Sequence, residues 1–444
     1  MSIKELEKYV DFVCPCGKTH NFSTKVVTGE DILFQIPALS DEYSADNVYV
    51  ICDNNTYRAA GKRVIEILTG CGKSVVSLIY ESDKVVPDES SVGKAIMHLD
   101  KKADLIVGVG SGVINDIGKI VANVSGKPYF IVATAPSMDG YAAAGSSMEL
   151  DGVKTTVSSK APDVIIGDLN VLASAPPEMM ISGLGDMIAK YVALCEWHIA
   201  SIVVGEYYCE EIAELVRIAL KKCVDNSQKL IAGDKDAIKA VFEGLIISGA
   251  AIEYAGISRP ASGVEHYISH IIDMRSLAFN TRAESHGIQC ALGTLYALKM
   301  YECLKSKSLD KNRALDFVKS YSYAEHSEFL KHFLGKAADK LISLEEKEGK
   351  YNQKKHAERL QLILDNWEDI LKIINGELPS YREVYDMWRS VGGPVSLEDI
   401  GIDNSCFKEI FASTKDIRDK YVLSRLLWDL GLIEEIAAEI FERN

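Results

Sequence analysis

The sequence predicts an α/β domain built on a parallel sheet over residues 1–172, followed by an all-helical domain over residues 173–444. Three observations predict it. Short apolar runs alternate with helix-like stretches through the first third of the chain. A glycine-rich turn follows one buried run and opens a helix. After Pro176-Pro177 the strand signal stops, and helical periodicity continues to the end.

Each element follows in order. VYVICD (48–53) is an apolar run closed by an acid, and NTYRAAGKRVIEILTGCG is a helix with Gly70 and Gly72 as its stop residues. KSVVSLIY (73–80) is a second strand, SSVGKAIMHLDKK (90–102) a helix and ADLIVGVG (103–110) a third strand. GVINDIGKIVANV is the next helix and KPYFIVATAP the fourth strand. Strand and helix in this rhythm imply a parallel sheet covered on both faces. Residues 153–172 add short strands. Residues 340–375 are highly charged and predict a solvated helical hairpin with no chemistry of its own.

Composition bounds the function. The chain has 444 residues, 47% of them hydrophobic, which is enough for more than one core. Its net charge of −15 argues against nucleic acid and anionic membrane as partners. No apolar run approaches the roughly 18 residues of a membrane span. The first residues carry acids and no signal-peptide core, and the ten cysteines have no framework spacing. A cytoplasmic chain with reduced thiols is expected.

Four segments carry chemistry. Gly108-Val109-Gly110-Ser111-Gly112-Val113-Ile114-Asn115-Asp116 follows a strand and opens a helix. Such a turn lets backbone approach a pyrophosphate, and it also serves as a plain tight turn. Gly72-Lys73-Ser74 is not a phosphate loop, because that motif needs glycine where Ile67 stands. Thr134-Ala135-Pro136-Ser137-Met138-Asp139-Gly140-Tyr141 leaves the carboxyl end of a strand, where open parallel sheets bind ligands. Its acid could reach a polyol hydroxyl, and a polar turn would look the same.

The third segment set is the strongest. Asp186 lies in GLGDMIAK, His266 and His270 in SGVEHYISH, and His286 in ESHG. His266 and His270 share a helix face. One carboxylate and two imidazoles form a three-ligand catalytic metal set with a place left for water or substrate. The fourth is Cys14-Pro15-Cys16 with His20, three zinc-type ligands where a closed site wants four, or else a simple turn.

Taken together and in order, GSGVIND, TAPSMDGYA, GLGDMIAK and SGVEHYISH resemble the glycerol-1-phosphate dehydrogenase family. That family stands with glycerol dehydrogenases, iron-containing alcohol dehydrogenases and dehydroquinate synthase, and the bacterial branch found with arabinose genes looks closest. The resemblance covers about residues 10 to 300 and returns in Ile417-Arg418-Asp419-Lys420-Tyr421 through Leu432.

The resemblance implies a Rossmann-like nucleotide domain and a helical metal domain of the dehydroquinate synthase type. Carried onto this chain, it implies that Asp186, His266 and His286 bind a divalent metal: zinc or nickel, with iron a further option. Gly110 and Gly112, Val113, Ile114, Asn115 and Asp116 would wrap the cofactor pyrophosphate. Thr134, Ala135, Pro136 and Ser137 would line the nicotinamide. Asp53 would face the adenosine ribose, which favours NAD over NADP by like-charge repulsion. Asp139 would orient substrate, and His270 would relay a proton. Lys190 and Arg259 would meet the substrate phosphate, on charge and on nearness to the motifs. The implied reaction reduces dihydroxyacetone phosphate, a phosphorylated three-carbon ketone, to sn-glycerol 1-phosphate. The implied assembly is a homodimer or larger homo-oligomer.

The chain departs from the family pattern in places. Ala143 stands where the family often has serine, and Lys190 stands where four-ligand alcohol dehydrogenases place histidine. Asp186 stands where dehydroquinate synthase would want glutamate. Two rivals follow: a glycerol or other polyol dehydrogenase without a phosphate pocket, and a non-catalytic nucleotide-binding homologue.

Overall fold

The structure, a computed structural model, describes residue 6, residues 12–82 and residues 84–441. Within it the chain forms two compact units, Met1–Met187 with Glu214–Ile257, and Ile188–Ala213 with Ser258–Asn444.

The first unit holds all ten strands of the described residues. A small hairpin pairs β1 (Phe12–Val13) with β2 (Thr19–His20). The main sheet contains β3 (Lys25–Gly29), β4 (Asn47–Asp53), β5 (Ser74–Tyr80), β6 (Leu105–Gly110), β7 (Tyr129–Ala133) and β10 (Val164–Asp168). A second hairpin is formed by β8 (Gly145–Leu150) and β9 (Val153–Ser158). The main sheet is parallel in the order β3-β10-β7-β6-β4-β5.

Burial explains which strands are readable. β6, β7 and β10 are buried at every residue, as a sheet covered on both faces requires. β3 is an edge strand of five residues, KVVTG, and holds only two apolar side chains, Val26 and Val27, so it shows no long apolar run. On one face Val48, Val50, Val107, Val109, Phe130, Val132, Val164 and Ile166 pack with Leu33, Ile36, Val64 and Leu68. On the sheet's Tyr129, glycines matter. A Cβ at Gly108 or at Gly118 would each lie 2.3 Å from the Tyr129 hydroxyl. The helix stop expected at Gly70 and Gly72 is present: α1 (Lys62–Gly70) ends there, and Gly72 has φ +82.

Helices are the only regular secondary structure among the described residues of the second unit. Its long helices include α4 (Lys190–Val203), α6 (Val264–Phe279) and α7 (His286–Lys305); the labels α2, α3 and α5 go to helices of the first unit, Gly112–Ser125, Pro177–Ile188 and Lys235–Ala255. Trp428 is fully buried, with the rings of Phe317, Tyr321, Tyr351 and His356 around it. This corrects the expected solvated hairpin at 340–375. Three helices run there, Ala338–Glu348, Gln353–Asp365 and Trp367–Glu377. They bury Leu341, Leu360, Ile363, Ile370 and Ile374 in the core, and Glu345 and Arg359 turn inward with them, Arg359 onto Asp429 at 2.8 Å. No helix of the described residues is long and apolar enough to cross a membrane.

Candidate functional site

In the first unit the chain runs from β4 out to β5, then crosses back to β6 on the other side of β4. The crossover direction therefore changes between β4 and β6, and the carboxyl ends of those strands border a crevice. Asp53 ends β4, and Gly110 ends β6. A Cβ at Gly110 would lie 2.5 Å from the Ile114 Cβ, so the turn into α2 can only be made with glycine. Gly112 opens α2 after Ser111, and the first N–H groups of that helix carry the partial positive charge that suits a pyrophosphate.

The side chains of this motif mostly turn inward. Ile114 is buried against Gly110. Asn115 is fully buried, and its Nδ2 donates to the Gly140 carbonyl at 3.0 Å. Asp116 pairs with Lys119 Nζ at 3.1 Å, and burial raises its carboxyl above the ordinary range. Lys119 also donates to the carbonyls of Gly140, Ala143 and Gly145 at 3.2, 3.2 and 2.5 Å. Gly112 and Val113 thus offer backbone to a ligand, whereas Asn115, Asp116 and Lys119 hold the loop after β7. Asp53 is partly occupied too: its Oδ1 accepts the Thr56 N–H at 2.8 Å and caps the short helix Asn54–Thr56.

The loop Thr134–Tyr141 is brought against α2 and α3. The Thr134 N–H donates to the Gly110 carbonyl at 3.1 Å, and the Ser111 and Ser137 hydroxyls are 2.5 Å apart. Ser182 donates to the Ser137 carbonyl at 3.1 Å. A Cβ at Gly183 would sit 1.8 Å from the Pro136 oxygen, so only glycine lets α3 pass this loop. The Asp139 N–H donates to Asp186 Oδ2 at 2.9 Å, and Ser248 donates to Asp139 Oδ2 at 2.9 Å. Two motifs far apart in sequence, TAPSMDGYA and GLGDMIAK, are therefore joined through their two aspartates. Ala135 and Ala143 are buried, and the Tyr141 hydroxyl holds the Ala135 carbonyl at 2.7 Å.

In the second unit α6 and α7 carry the histidines. A Cβ at Gly293 would be 2.6 Å from the Glu265 carbonyl oxygen, so this glycine lets the two helices approach. The His266 and His286 rings are then 5.1 Å apart, and His270 stacks 6.1 Å from His286. His266 Nδ1 is 2.8 Å from Glu265 Oε1, and His286 Nδ1 is 3.1 Å from the Ser269 hydroxyl. A carboxylate on Nδ1 fixes the His266 tautomer and leaves Nε2 with its lone pair, the usual backing of a metal-binding imidazole. Cys290, one turn after His286, brings its sulfur to 3.6 Å from His286 Nε2. Ligand atoms of His266, His286 and Cys290 all lie within 4.8 Å of one another. Burial acts to raise the Cys290 thiol, and the charges of the two histidines outweigh it and lower it.

Carboxylates gather where α6 begins. Glu196 Oε2 accepts the Val264 N–H at 2.9 Å, and Glu265 Oε1 accepts the Gly263 N–H at 2.6 Å. A Cβ at Gly263 would press on both carboxylates. Burial, then the neighbouring Glu265, push the Glu196 carboxyl up to about 8.

Just before α6 lies a loop ringed by cations. Arg259 is fully buried and clamps Glu206 through Nε at 2.8 Å and Nη2 at 2.5 Å. Its Nη1 is buried with no hydrogen-bond partner among the described residues. Lys190 Nζ donates to the Ala261 carbonyl at 3.0 Å, and Lys420 Nζ to the Ser262 carbonyl at 3.0 Å. Burial, then the charges of Arg259 and Arg418, bring Lys420 down to about 7. Sequence reasoning singled out Lys190 and Arg259 and missed Lys420, Cys290 and the backing Glu265. The clue for Glu265 was its place directly before His266, and that for Lys420 its place in the segment Ile417–Tyr421 where the resemblance returns; Cys290 gave none.

The comparisons agree with this architecture. A family model described as iron-containing alcohol dehydrogenase matches residues 27–176. A glycerol-1-phosphate dehydrogenase [NAD(P)+] of Bacillus licheniformis is 29% identical over 425 residues, covering 95% of this chain and 93% of the relative. One of Methanothrix thermoacetophila is 33% identical over 282 residues, covering 62% of this chain and 77% of the relative. Among solved structures, glycerol dehydrogenase from Schizosaccharomyces pombe superposes with a TM-score of 0.63 at 15% identity, covering 96% of this chain and 93% of that one, which speaks for the fold.

Proposed function

We propose that this chain, which belongs to the glycerol-1-phosphate dehydrogenase family, interconverts dihydroxyacetone phosphate and sn-glycerol 1-phosphate with a nicotinamide cofactor. The observation that carries the phosphate half of the reading is the cation loop. Lys190 and Lys420 donate to the carbonyls of Ala261 and Ser262, and Arg259 at the head of the same loop keeps a buried N–H with no partner among the described residues. A phosphate oxygen would satisfy the Arg259 Nη1 and raise the charged fraction of Lys420.

The donor set fits a divalent metal. His266 and His286 offer backed imidazoles, and Asp186 is the carboxylate assigned to complete the set. The ion, zinc or nickel with iron as third candidate, would supply Lewis-acid polarisation of the ketone oxygen. The nicotinamide cofactor supplies the hydride. Asp139, whose carboxylate is oriented by Ser248, would accept a substrate hydroxyl. His270, near His286 on the helix that carries His266, would pass the proton to and from solvent. Lys190, Arg259 and Lys420 would hold the phosphate. The helix start at Gly112 and Val113 would take the pyrophosphate, and the loop Thr134–Ser137 would flank the nicotinamide. Asp53 would accept the ribose hydroxyl and disfavour the 2′-phosphate of NADP. The working form is a cytoplasmic homodimer or higher homo-oligomer.

The test runs NADH and NADPH oxidation on metal-stripped protein and on zinc- or nickel-reloaded protein, with dihydroxyacetone phosphate and dihydroxyacetone side by side. Metal-dependent turnover of the phosphate supports the reading. Turnover of the unphosphorylated ketone alone supports a polyol dehydrogenase. Turnover of neither, with no bound metal by plasma mass analysis, supports a non-catalytic homologue.

A further inference from the structure

A second group of metal-type ligands lies in the first unit, in the β1–β2 hairpin, and the reaction makes no use of it. The turn is tight. The Cys14 N–H donates to the Lys18 carbonyl at 3.0 Å, and the Gly17 N–H donates to the Cys14 carbonyl at 2.9 Å. Gly17 has φ +85, a conformation that favours glycine. The strand register sets Phe12 opposite His20 and Val13 opposite Thr19, so the chain folds His20 back beside the cysteines. Cys14 and His20 are buried, at 3% and 0% exposure.

The geometry has the dimensions of a zinc site. The ligand atoms of Cys14, Cys16 and His20 lie within 4.8 Å of one another. Cys16 Sγ is 3.5 Å from His20 Nε2. In a tetrahedron with zinc–sulfur near 2.3 Å and zinc–nitrogen near 2.0–2.1 Å, the sulfur-to-nitrogen edge is about 3.6 Å. The tautomer agrees. His20 Nδ1 is 3.1 Å from the Tyr254 carbonyl, which can only accept, so Nδ1 carries the proton. Nε2 is left with a lone pair on the side of Cys16. An imidazole held by a backbone carbonyl on one nitrogen is the standard support of a zinc ligand on the other. None of these three cysteine or histidine side chains belongs to the site described above, and neither cysteine is in a disulfide.

We propose that Cys14, Cys16 and His20 hold one zinc ion in a structural site separate from the catalytic metal. Binding the ion would pin the β1–β2 hairpin to α5 through the His20–Tyr254 hydrogen bond. A hairpin of two-residue strands has little else to hold its shape, so the ion takes the part that a core plays elsewhere. The fourth place of the tetrahedron goes to water or to another thiol.

The experiment uses the full chain carrying His286→Ala, so that the catalytic metal is weakened and does not mask the count. Zinc per chain is measured by plasma mass analysis after dialysis, and the same protein is reloaded with cobalt. The proposal expects close to one retained zinc, a thiolate-to-cobalt charge-transfer band and tetrahedral ligand-field bands. Adding Cys14→Ala with Cys16→Ala should remove the zinc and the charge-transfer band together. The cysteine pair variant in the otherwise native chain should keep its turnover with added catalytic metal to within about twofold. Zinc and band unchanged in the cysteine variant would overturn the proposal. If that variant does not fold, His20→Gln is read in its place. Absence of any thiolate–cobalt band from the His286→Ala protein overturns the proposal by itself.

Discussion

The two units offer a ligand different kinds of atom. In the first, the proposed cofactor-facing positions are largely backbone, the helix start at Gly112 and the loop from Thr134, shaped by Gly110 and Gly183, and the proposed side-chain contacts are the carboxylates of Asp53, Asp139 and Asp186. In the second, they are side chains: the histidines of α6 and α7, and the cations around residues 259–262. Backbone sites need small residues in fixed local spacing. Side-chain sites need partners to neutralise and orient them, and those partners come from anywhere in the chain. Substitutions should therefore act differently in the two units. In the helical unit they should change metal content and substrate affinity. In the sheet unit they should change cofactor choice or folding, except at Asp139 and Asp186, which are assigned to the substrate and the metal.

The largest effect is expected at the histidines. His286→Ala or His266→Ala should lower kcat/KM by roughly 10³-fold or more, with loss of the catalytic metal by plasma mass analysis. Removing Asp186 should match them. Activity surviving in all three would break the ligand assignment.

Glu265→Gln comes next. Its carboxylate backs His266, so metal affinity should fall about 10–100-fold in a competition titration, while the fold persists. An unchanged affinity would show that Glu265 serves only the start of α6.

The cation loop is read through two substrates. Lys420→Ala should raise KM for dihydroxyacetone phosphate about 10–100-fold, since a charge-assisted hydrogen bond contributes roughly 1.5–3 kcal/mol, and should leave dihydroxyacetone nearly unaffected. The pH dependence has a definite sign. Lys420 is lowered to about 7 in the free protein, so its charge is present below that pH and is lost above it. KM for the phosphate should rise about tenfold between pH 6 and pH 8. Lys420→Arg, charged throughout, should flatten that rise.

Asp53→Ser sharpens the sheet-unit side with the smallest effect. Serine keeps the cap on Thr56 and removes the charge. NADPH use relative to NADH should improve about fivefold, for a repulsion of roughly 1 kcal/mol. No change would place the ribose away from β4.

The same contrast explains what was legible in the sequence. The buried strands β4, β6 and β7 stood out as apolar runs, and edge strand β3 did not, because its five residues include only two apolar side chains, Val26 and Val27. The turn after β6 and the glycine of GLGD were readable because backbone geometry admits few other residues there. Asp186 and the histidines stood out through rare residue types in motif order. Their supports did not. Glu196 and Glu206 stand on or just after α4, yet they serve Val264 and Arg259. Lys420 reaches the Ser262 carbonyl from near the end of the chain. Such pairs leave no local periodicity. The helices of 340–375 look solvated for a related reason: their charged residues outnumber the few that enter the core around Trp428.

The central claim is the stereospecific reduction of a phosphorylated ketone, and the product tests it most directly. Metal-loaded protein is given dihydroxyacetone phosphate and NADH, and the glycerol phosphate formed is offered to a dehydrogenase that accepts only the sn-3 isomer. The account predicts NADH consumption and a product that this second enzyme leaves untouched. A product that it consumes, or NADH oxidation with dihydroxyacetone alone, would contradict the account.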